Sequence, residues 1–362
     1  MAKSAITFID GQRGILRYRG IDIQELAKNS TYEEVAYLLW YGKLPMKTEL
    51  ADFKRELARQ RALPREVLSL LKGMPKNANP MDVARTAASY IAAFPRKRSE
   101  SFQEANDRKA MQLTATLGPI VATYERIRRG KGPVKPDGKL GHAANFLYLM
   151  DGKKPDKDRE RAYDTICILY ADHEMNASTF AGIVTASTLA DLGGAVTSAI
   201  ATLAGPLHGG SNQRVMEMLE TVGSAENAEK FIDDELAAGR RIMGFGHRIY
   251  KTHDPRALVL REVADRLTQG SSSRKWFEMA KSIEKLVWDK KGLYPNIEFY
   301  AAVVLNALGI PRDLMPAVFA CNRVVGWVAH LFEQYADNRL IRPLTEYVGP
   351  SQRAYVPIGQ RS

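Results

Sequence analysis

Cysteine is scarce: 362 residues contain two, Cys167 and Cys321, both in apolar stretches. No CxxC and no cysteine–histidine spacing goes with them, so a disulfide framework and a zinc-ribbon type of site are excluded and buried thiols remain. Glycine (27) and proline (17) are too few for a collagen-like or low-complexity chain. A 26% share of charged residues beside 45% apolar ones excludes wholesale disorder. After Met1 the residues Ala2-Lys3-Ser4-Ala5-Ile6-Thr7 carry no apolar core of a signal peptide. The longest weakly charged stretch, Met175 to Gln213, is broken by Asp191 and by Gly193-Gly194 and rich in Ala, Thr and Ser. It reads as a buried helix pair rather than a membrane span. A soluble cytoplasmic protein without membrane or metal is expected.

The length suits two or three domains, or one large one. Fifty-two Lys and Arg against 41 Asp and Glu leave a net charge of +11, which favours anionic partners without choosing among them. Ile6 and Phe8, the Asp10-Gly11 turn and Ile15–Tyr18 predict an N-terminal hairpin. Beyond it the apolar period is helical almost throughout. Ser30 with Glu33 reads as a capping box, Val35, Leu38 and Leu39 as a stripe, and Gly42 as a helix end. Leu50, Phe53 and Leu57 repeat the stripe before Pro64. Further helices are expected at about 80–93, 107–128, 143–150, 160–172, 178–191, 195–203, 212–221, 226–238, 256–268, 274–289, 297–308 and 312–336. Strand signals that alternate with helices are missing, so the fold class is all-α with a short hairpin. The basic runs Arg129–Lys139 and Arg96-Lys97-Arg98 read as surface loops, with phosphate contact as the sharper alternative.

Histidine is also scarce, at six: His142, His173, His208, His247, His253 and His330. His208 lies in Gly205-Pro206-Leu207-His208-Gly209-Gly210, just ahead of a helix start near Ser211. The positive end of a helix disfavours imidazolium, and a neutral imidazole can hold an enolate oxygen. A purely structural glycine-rich turn explains the same spacing. His247 follows Met243-Gly244-Phe245-Gly246, where glycines leave backbone N–H groups open, and Arg248 and Arg256 add charge suited to carboxylate or phosphate. His173 lies in Asp172-His173-Glu174-Met175-Asn176, which lacks the second histidine of a zinc motif; Asn176, Ser178 and Thr179 read equally as helix caps. Asn296-Ile297-Glu298-Phe299-Tyr300 puts a carboxylate in an apolar setting at a helix start, where burial raises its pKa toward that of a useful base. The alternative is an N-terminal acid favoured by the dipole. Arg323 lies in an apolar helix, an expensive place for an unpaired charge, so an anion from protein or ligand is expected beside it. Two histidines, a carboxylate and several arginines, with no metal cluster and no nucleophile motif, suit carbanion chemistry on small acids.

These motifs, in this order and together with Asn338-Arg339-Leu340-Ile341-Arg342-Pro343, resemble those of the citrate synthase family from about Phe8 onward. The resemblance implies a mostly helical homodimer that binds acetyl-CoA and oxaloacetate without a resident cofactor. It implies a large domain, 1–209 with 310–362, and a small domain, 210–309, which closes over the cleft. It assigns His208 to the enol or enolate of the thioester, and His247 to the oxaloacetate carbonyl. His173, Arg256 and Arg323 would bind oxaloacetate, with Arg342 reaching over from the partner subunit. Gly244, Phe245 and Gly246 would lie near coenzyme A. Two departures stand out: the family has aspartate as carbon-acid base where this chain has Glu298, and the chain starts at the hairpin. The resemblance leaves three readings: citrate synthase, 2-methylcitrate synthase using propionyl-CoA, and a weakly active acyl-CoA or oxaloacetate binder. No nucleic-acid-binding signature accompanies the positive charge, which is better assigned to steering anionic substrates.

Overall fold

A computed structural model describes residues 3–95 and 99–361. The run Arg96-Lys97-Arg98 lies outside the described residues. Within them are sixteen α-helices and one small three-stranded antiparallel sheet, the all-α class that the periodicity indicates. Thr7–Asp10 pairs with Ile15–Tyr18, Thr7 opposite Tyr18 and Asp10 opposite Ile15. The Asp10 carboxylate closes the turn by accepting from the N–H groups of Gln12 and Arg13, each at 3.0 Å. A two-residue third strand, Ile21–Asp22, is too short to leave a sequence signal. Ile6, Leu16 and Tyr18 are buried, and the Tyr18 hydroxyl donates to the Asp172 carbonyl at 2.8 Å. The sheet is thereby fixed against one of the histidine motifs.

The first cap falls one residue later than its sequence signature. Ser30 already ends the helix Ile23–Asn29, its hydroxyl donating to the Leu26 carbonyl at 2.6 Å. The capping box of Tyr32–Tyr41 is instead Thr31 with Glu34, and Gly42 ends that helix in the left-handed region, as expected. Glu33, not needed for the cap, is buried and accepts the His142 N–H at 2.8 Å, which ties Tyr32–Tyr41 to the start of the helix His142–Asp151. The helix Phe102–Arg128 starts before about residue 107, because Ser101 and Glu104 form its capping box.

The core helix Met315–Ala336 is buried over most of its length and packs on Phe102–Arg128, Ala177–Ser187 and Tyr32–Tyr41. Its length and hydropathy pass a membrane-span criterion, yet 94% of the apolar window is buried in the fold. Each fully buried Val or Leu there contributes roughly 1.5–3 kcal/mol. Gly326 sits where this helix meets the Ala171–Asp172 backbone; a Cβ would lie 2.2 Å from the Ala171 carbonyl oxygen. That approach brings Arg323 to the end of the helix Lys157–Tyr170. Ala177–Ser187 and Leu192–Leu203 pack on each other, the helix pair read from the Met175–Gln213 stretch. Ser211–Val222, Pro255–Thr268, Arg274–Lys291 and Ile297–Ala307 pack mutually, and Pro255–Thr268 also packs on Lys157–Tyr170 and Ile23–Asn29.

Candidate active site

His208 occupies the turn between Leu192–Leu203 and Ser211–Val222. Its Nε2 accepts the Ser178 backbone N–H at 3.2 Å and lies 2.8 Å from the Ser178 hydroxyl. The helix start around Ser178 is fixed in turn: Asn176 caps it, the Ser178 hydroxyl meets Asn176 Oδ1 at 2.7 Å, and Trp327 Nε1–H donates to Ser178 Oγ at 3.2 Å. An amide hydrogen aimed at Nε2 requires a lone pair there, so the proton of the neutral ring sits on Nδ1. Burial, with the charge of Arg323 second, pushes the His208 pKa down to about 4. The imidazole is therefore neutral near pH 7, through desolvation more than through the helix terminus invoked from the sequence.

His247 is fixed in the opposite tautomer. Its Nδ1 accepts from the N–H groups of Ile249 (3.0 Å) and Tyr250 (3.3 Å), which leaves the proton on Nε2. Burial and the neighbouring Arg256 push its pKa down to about 4. Its ring lies 5.3 Å from that of His173, centroid to centroid. His173 Nε2 is 3.2 Å from the Tyr250 hydroxyl, and burial followed by Arg256 holds its pKa well below the usual histidine range.

The glycines before His247 serve geometry rather than open N–H groups. Gly244 has φ +83° and packs so tightly that a Cβ would lie 2.8 Å from Phe299 Cδ2. The Gly246 N–H is taken by the Tyr294 carbonyl at 3.0 Å. The Asn296 N–H donates to the Gly244 carbonyl at 2.9 Å and its side-chain amide to the Gly246 carbonyl at 3.0 Å. The loop thus runs alongside residues 294–296, and Phe245 packs on Phe299 at 4.6 Å between ring centroids. Asn296 caps Ile297–Ala307 by accepting the Glu298 N–H at 3.1 Å. This joins the His247 and Glu298 motifs into one body.

Glu298 keeps a partly accessible edge while one oxygen, Oε2, accepts from the Tyr170 hydroxyl at 3.0 Å. Burial raises its pKa to about 7, against the opposing pull of Tyr170, Arg256 and Arg323. A carboxyl raised toward neutrality suits a general base.

The two buried arginines differ. Arg256 is held by Asp254 through Nε (2.9 Å) and Nη2 (2.8 Å), and Asp254 also accepts the Ile297 N–H at 3.1 Å. Arg323 is 2% exposed and donates through Nε to the Tyr170 carbonyl at 2.6 Å, with its guanidinium 4.6 Å from the Phe319 ring centre. Among the described residues no carboxylate pairs with it at ion-pair distance, and burial holds its pKa below the ordinary arginine range. Among the described residues the nearby carboxylates Asp172 and Glu298 act on it only at a distance, so the guanidinium has room for a contacting anion from a ligand.

His173, His208, His247, Arg256, Arg323 and Glu298 converge in this region. Arg342 does not join them: it is exposed on the extended tail, with only the Pro343 carbonyl at 3.4 Å. His142 lies tilted against Tyr32, His330 pairs with buried Asp172 at 3.2 Å, and His253 lies against Tyr294, so these three serve other places. Sequence reasoning missed Tyr170, Tyr250 and Trp327, whose neighbours come from packing. Ser178 was visible only as a helix-start residue, and Asp254, which caps Pro255–Thr268, was not singled out.

Comparison with known proteins gives the arrangement a family. A family model described as the citrate synthase C-terminal domain matches residues 1–344. The chain belongs to the citrate synthase family. It is accordingly a transferase, of the kind that moves an acyl group. Citrate synthase 2 of Bacillus subtilis is 45% identical over 348 residues, spanning 96% of this chain and 94% of the relative. A second Bacillus subtilis protein, citrate/2-methylcitrate synthase, is 39% identical and spans 96% of this chain and 94% of the relative. The citrate synthase of the thermophilic archaeon Thermoplasma acidophilum, solved in a ternary complex with carboxymethyl coenzyme A and oxaloacetate, superposes with a TM-score of 0.93. That structure is 34% identical and covers 100% of this chain and 97% of its own.

Proposed function

We propose that the chain condenses acetyl-CoA with oxaloacetate and water to give citrate and CoA, with Glu298, His208 and His247 as the catalytic residues. The single observation that carries this reading is a buried-edge carboxylate, Glu298, grouped with two imidazoles whose ring nitrogens are fixed by backbone N–H donors and with a buried arginine that no carboxylate contacts among the described residues. Glu298 takes a proton from the methyl carbon of the thioester. The Nδ1–H of His208 donates to the oxygen on which enolate charge develops; such donors act most strongly where water is excluded. The enol carbon attacks the ketone of oxaloacetate, and the Nε2–H of His247 delivers its proton to the forming alkoxide. Water then hydrolyses citryl-CoA. His173, Arg256 and Arg323 bind the carboxylates of oxaloacetate. No metal or cofactor enters these steps.

Coenzyme A is assigned to the Gly244–Phe245–Gly246 side. The division into 1–209 with 310–362 and 210–309 places both ligands between two bodies, supported by the mutual packing of the helices from Ser211 to Ala307. A homodimer in which Arg342 reaches the neighbouring subunit's site is supported by the tail: Leu344 is 91% exposed and Val348 90%, an apolar surface that a second copy would cover.

The decisive assay is release of free CoA thiol from acetyl-CoA. Turnover that depends on oxaloacetate supports the reading, and tight ligand binding without turnover would replace it with the binder. The relative named citrate/2-methylcitrate synthase favours a second reading, propionyl-CoA on the same site. One methylene of pocket volume is worth only about 1–3 kcal/mol, so the ratio of kcat/KM for the two thioesters decides the name.

A further inference from the structure

One buried hydroxyl in the site touches the proposed base and has no part in the proposed steps. Tyr170 ends the helix Lys157–Tyr170, its ring packed on Phe319 at 4.3 Å between centroids. Its backbone carbonyl accepts Arg323 Nε at 2.6 Å, and its hydroxyl donates to Glu298 Oε2 at 3.0 Å. The side chain of Asn212, in the helix that follows His208, hydrogen-bonds the same hydroxyl. One residue thus touches the arginine that awaits an anion, the helix after the enolate-side histidine, and the carboxylate. We propose that Tyr170 is the positioning residue of Glu298: its hydroxyl anchors Oε2 and leaves Oε1 as the oxygen that receives the substrate proton. This rests on the reading of Glu298 as the carbon-acid base.

The accounting of lone pairs and protons supports the assignment. A phenol has one proton to give, and Glu298 Oε2 is its acceptor at normal distance. Oε1 has no hydrogen-bond partner among the described residues. A glutamate carboxylate sits at the end of two methylene groups, so it needs an external anchor to be held in one place. A rigid aromatic residue, fixed at the ring by Phe319 and at the backbone by Arg323, supplies it. Hydrogen bonds to a charged acceptor are stronger than neutral ones, so the contact favours the ionised carboxylate and opposes the burial that protonates it.

The test compares the native chain with Tyr170→Phe, Glu298→Gln and the double variant in the thiol-release assay across pH. Tyr170→Phe keeps the ring and its Phe319 contact. It is expected to move the acidic limb of kcat/KM upward by about one pH unit and to lower kcat about tenfold or more, with KM for oxaloacetate little changed. In the Glu298→Gln background Tyr170→Phe should have no further effect on kcat. Replacing Tyr170 with a difluorinated tyrosine, a stronger donor of the same shape, should move the limb downward; this arm holds even where Tyr170→Phe folds poorly. An unmoved limb in both substituted proteins, with Glu298→Gln inactive, overturns the role of Tyr170 alone. Full turnover by Glu298→Gln overturns the reading of the base itself.

Discussion

Shortening Glu298 to aspartate, the residue that the family pattern has here, removes one methylene from a side chain whose backbone cannot follow. The Glu298 N–H is held by Asn296 Oδ1 at 3.1 Å and the Ile297 N–H by Asp254 at 3.1 Å. Asn296 is itself tied to the Gly244 carbonyl at 2.9 Å, and Phe299 is packed on Phe245. Advancing this helix start would break the Asn296 cap and the Gly244 pairing together. The carboxylate therefore retracts by about one C–C bond length, roughly 1.5 Å, and leaves the Tyr170 hydroxyl. A misplacement of about 1 Å costs on the order of 10²-fold in rate, equivalent to about 2.7 kcal/mol of transition-state stabilisation. Glu298→Asp should lower kcat by about that factor in the thiol-release assay, while KM for oxaloacetate stays near its native value because His173, Arg256 and Arg323 are untouched. An unchanged or higher kcat would refute the claim that this cleft is built around glutamate.

Other outcomes follow from the same geometry. The base must be ionised, and burial raises Glu298 to about 7, so log kcat/KM should rise with unit slope below about pH 7 and level off above it. His208 and His247, pushed down to about 4, stay neutral over that range; a flat profile between about pH 5.5 and 8 would contradict this. Gly244→Ala sets a side chain at φ +83° and 2.8 Å from Phe299, and should cost about 2–4 kcal/mol, read as a lowered Tm. Arg323→Lys removes the Nε bond to Tyr170 and the stacking on Phe319; KM for oxaloacetate should rise about tenfold or more. The net charge of +11 should make kcat/KM fall as salt rises, and a salt-independent value would remove the steering role.

Much of the fold was legible because its elements are long and strongly periodic. The core helix Met315–Ala336 and the pair Ala177–Ser187 and Leu192–Leu203 needed only their apolar pattern. The short helices Ile23–Asn29 and Arg65–Gly73 escaped, since seven to nine residues hold barely two turns of signal. The cap at Ser30 was misplaced because the residue closes one helix immediately before the next begins, and the local pattern is the same for both roles. The chemistry-bearing histidines, Glu298 and Arg323 stood out as residue types in unusual company. Their partners did not: Tyr170 and Trp327 read as ordinary members of apolar runs, and only the crossing of the core helix over Ala171 and Asp172 gives them neighbours. Arg342 shows the opposite case. Its motif is plain in the sequence, yet within one subunit it stands apart from the cluster.

The most direct measurement is loss of deuterium from the methyl group of deuterated acetyl-CoA, followed alongside CoA release for the native chain and for Glu298→Gln. The native chain should turn over with a primary isotope effect. Glu298→Gln should retain binding of both ligands and lose rate by about 10²- to 10⁴-fold, the usual worth of a positioned general base. A Glu298→Gln protein that removes the methyl hydrogen at the native rate would contradict the account at its centre.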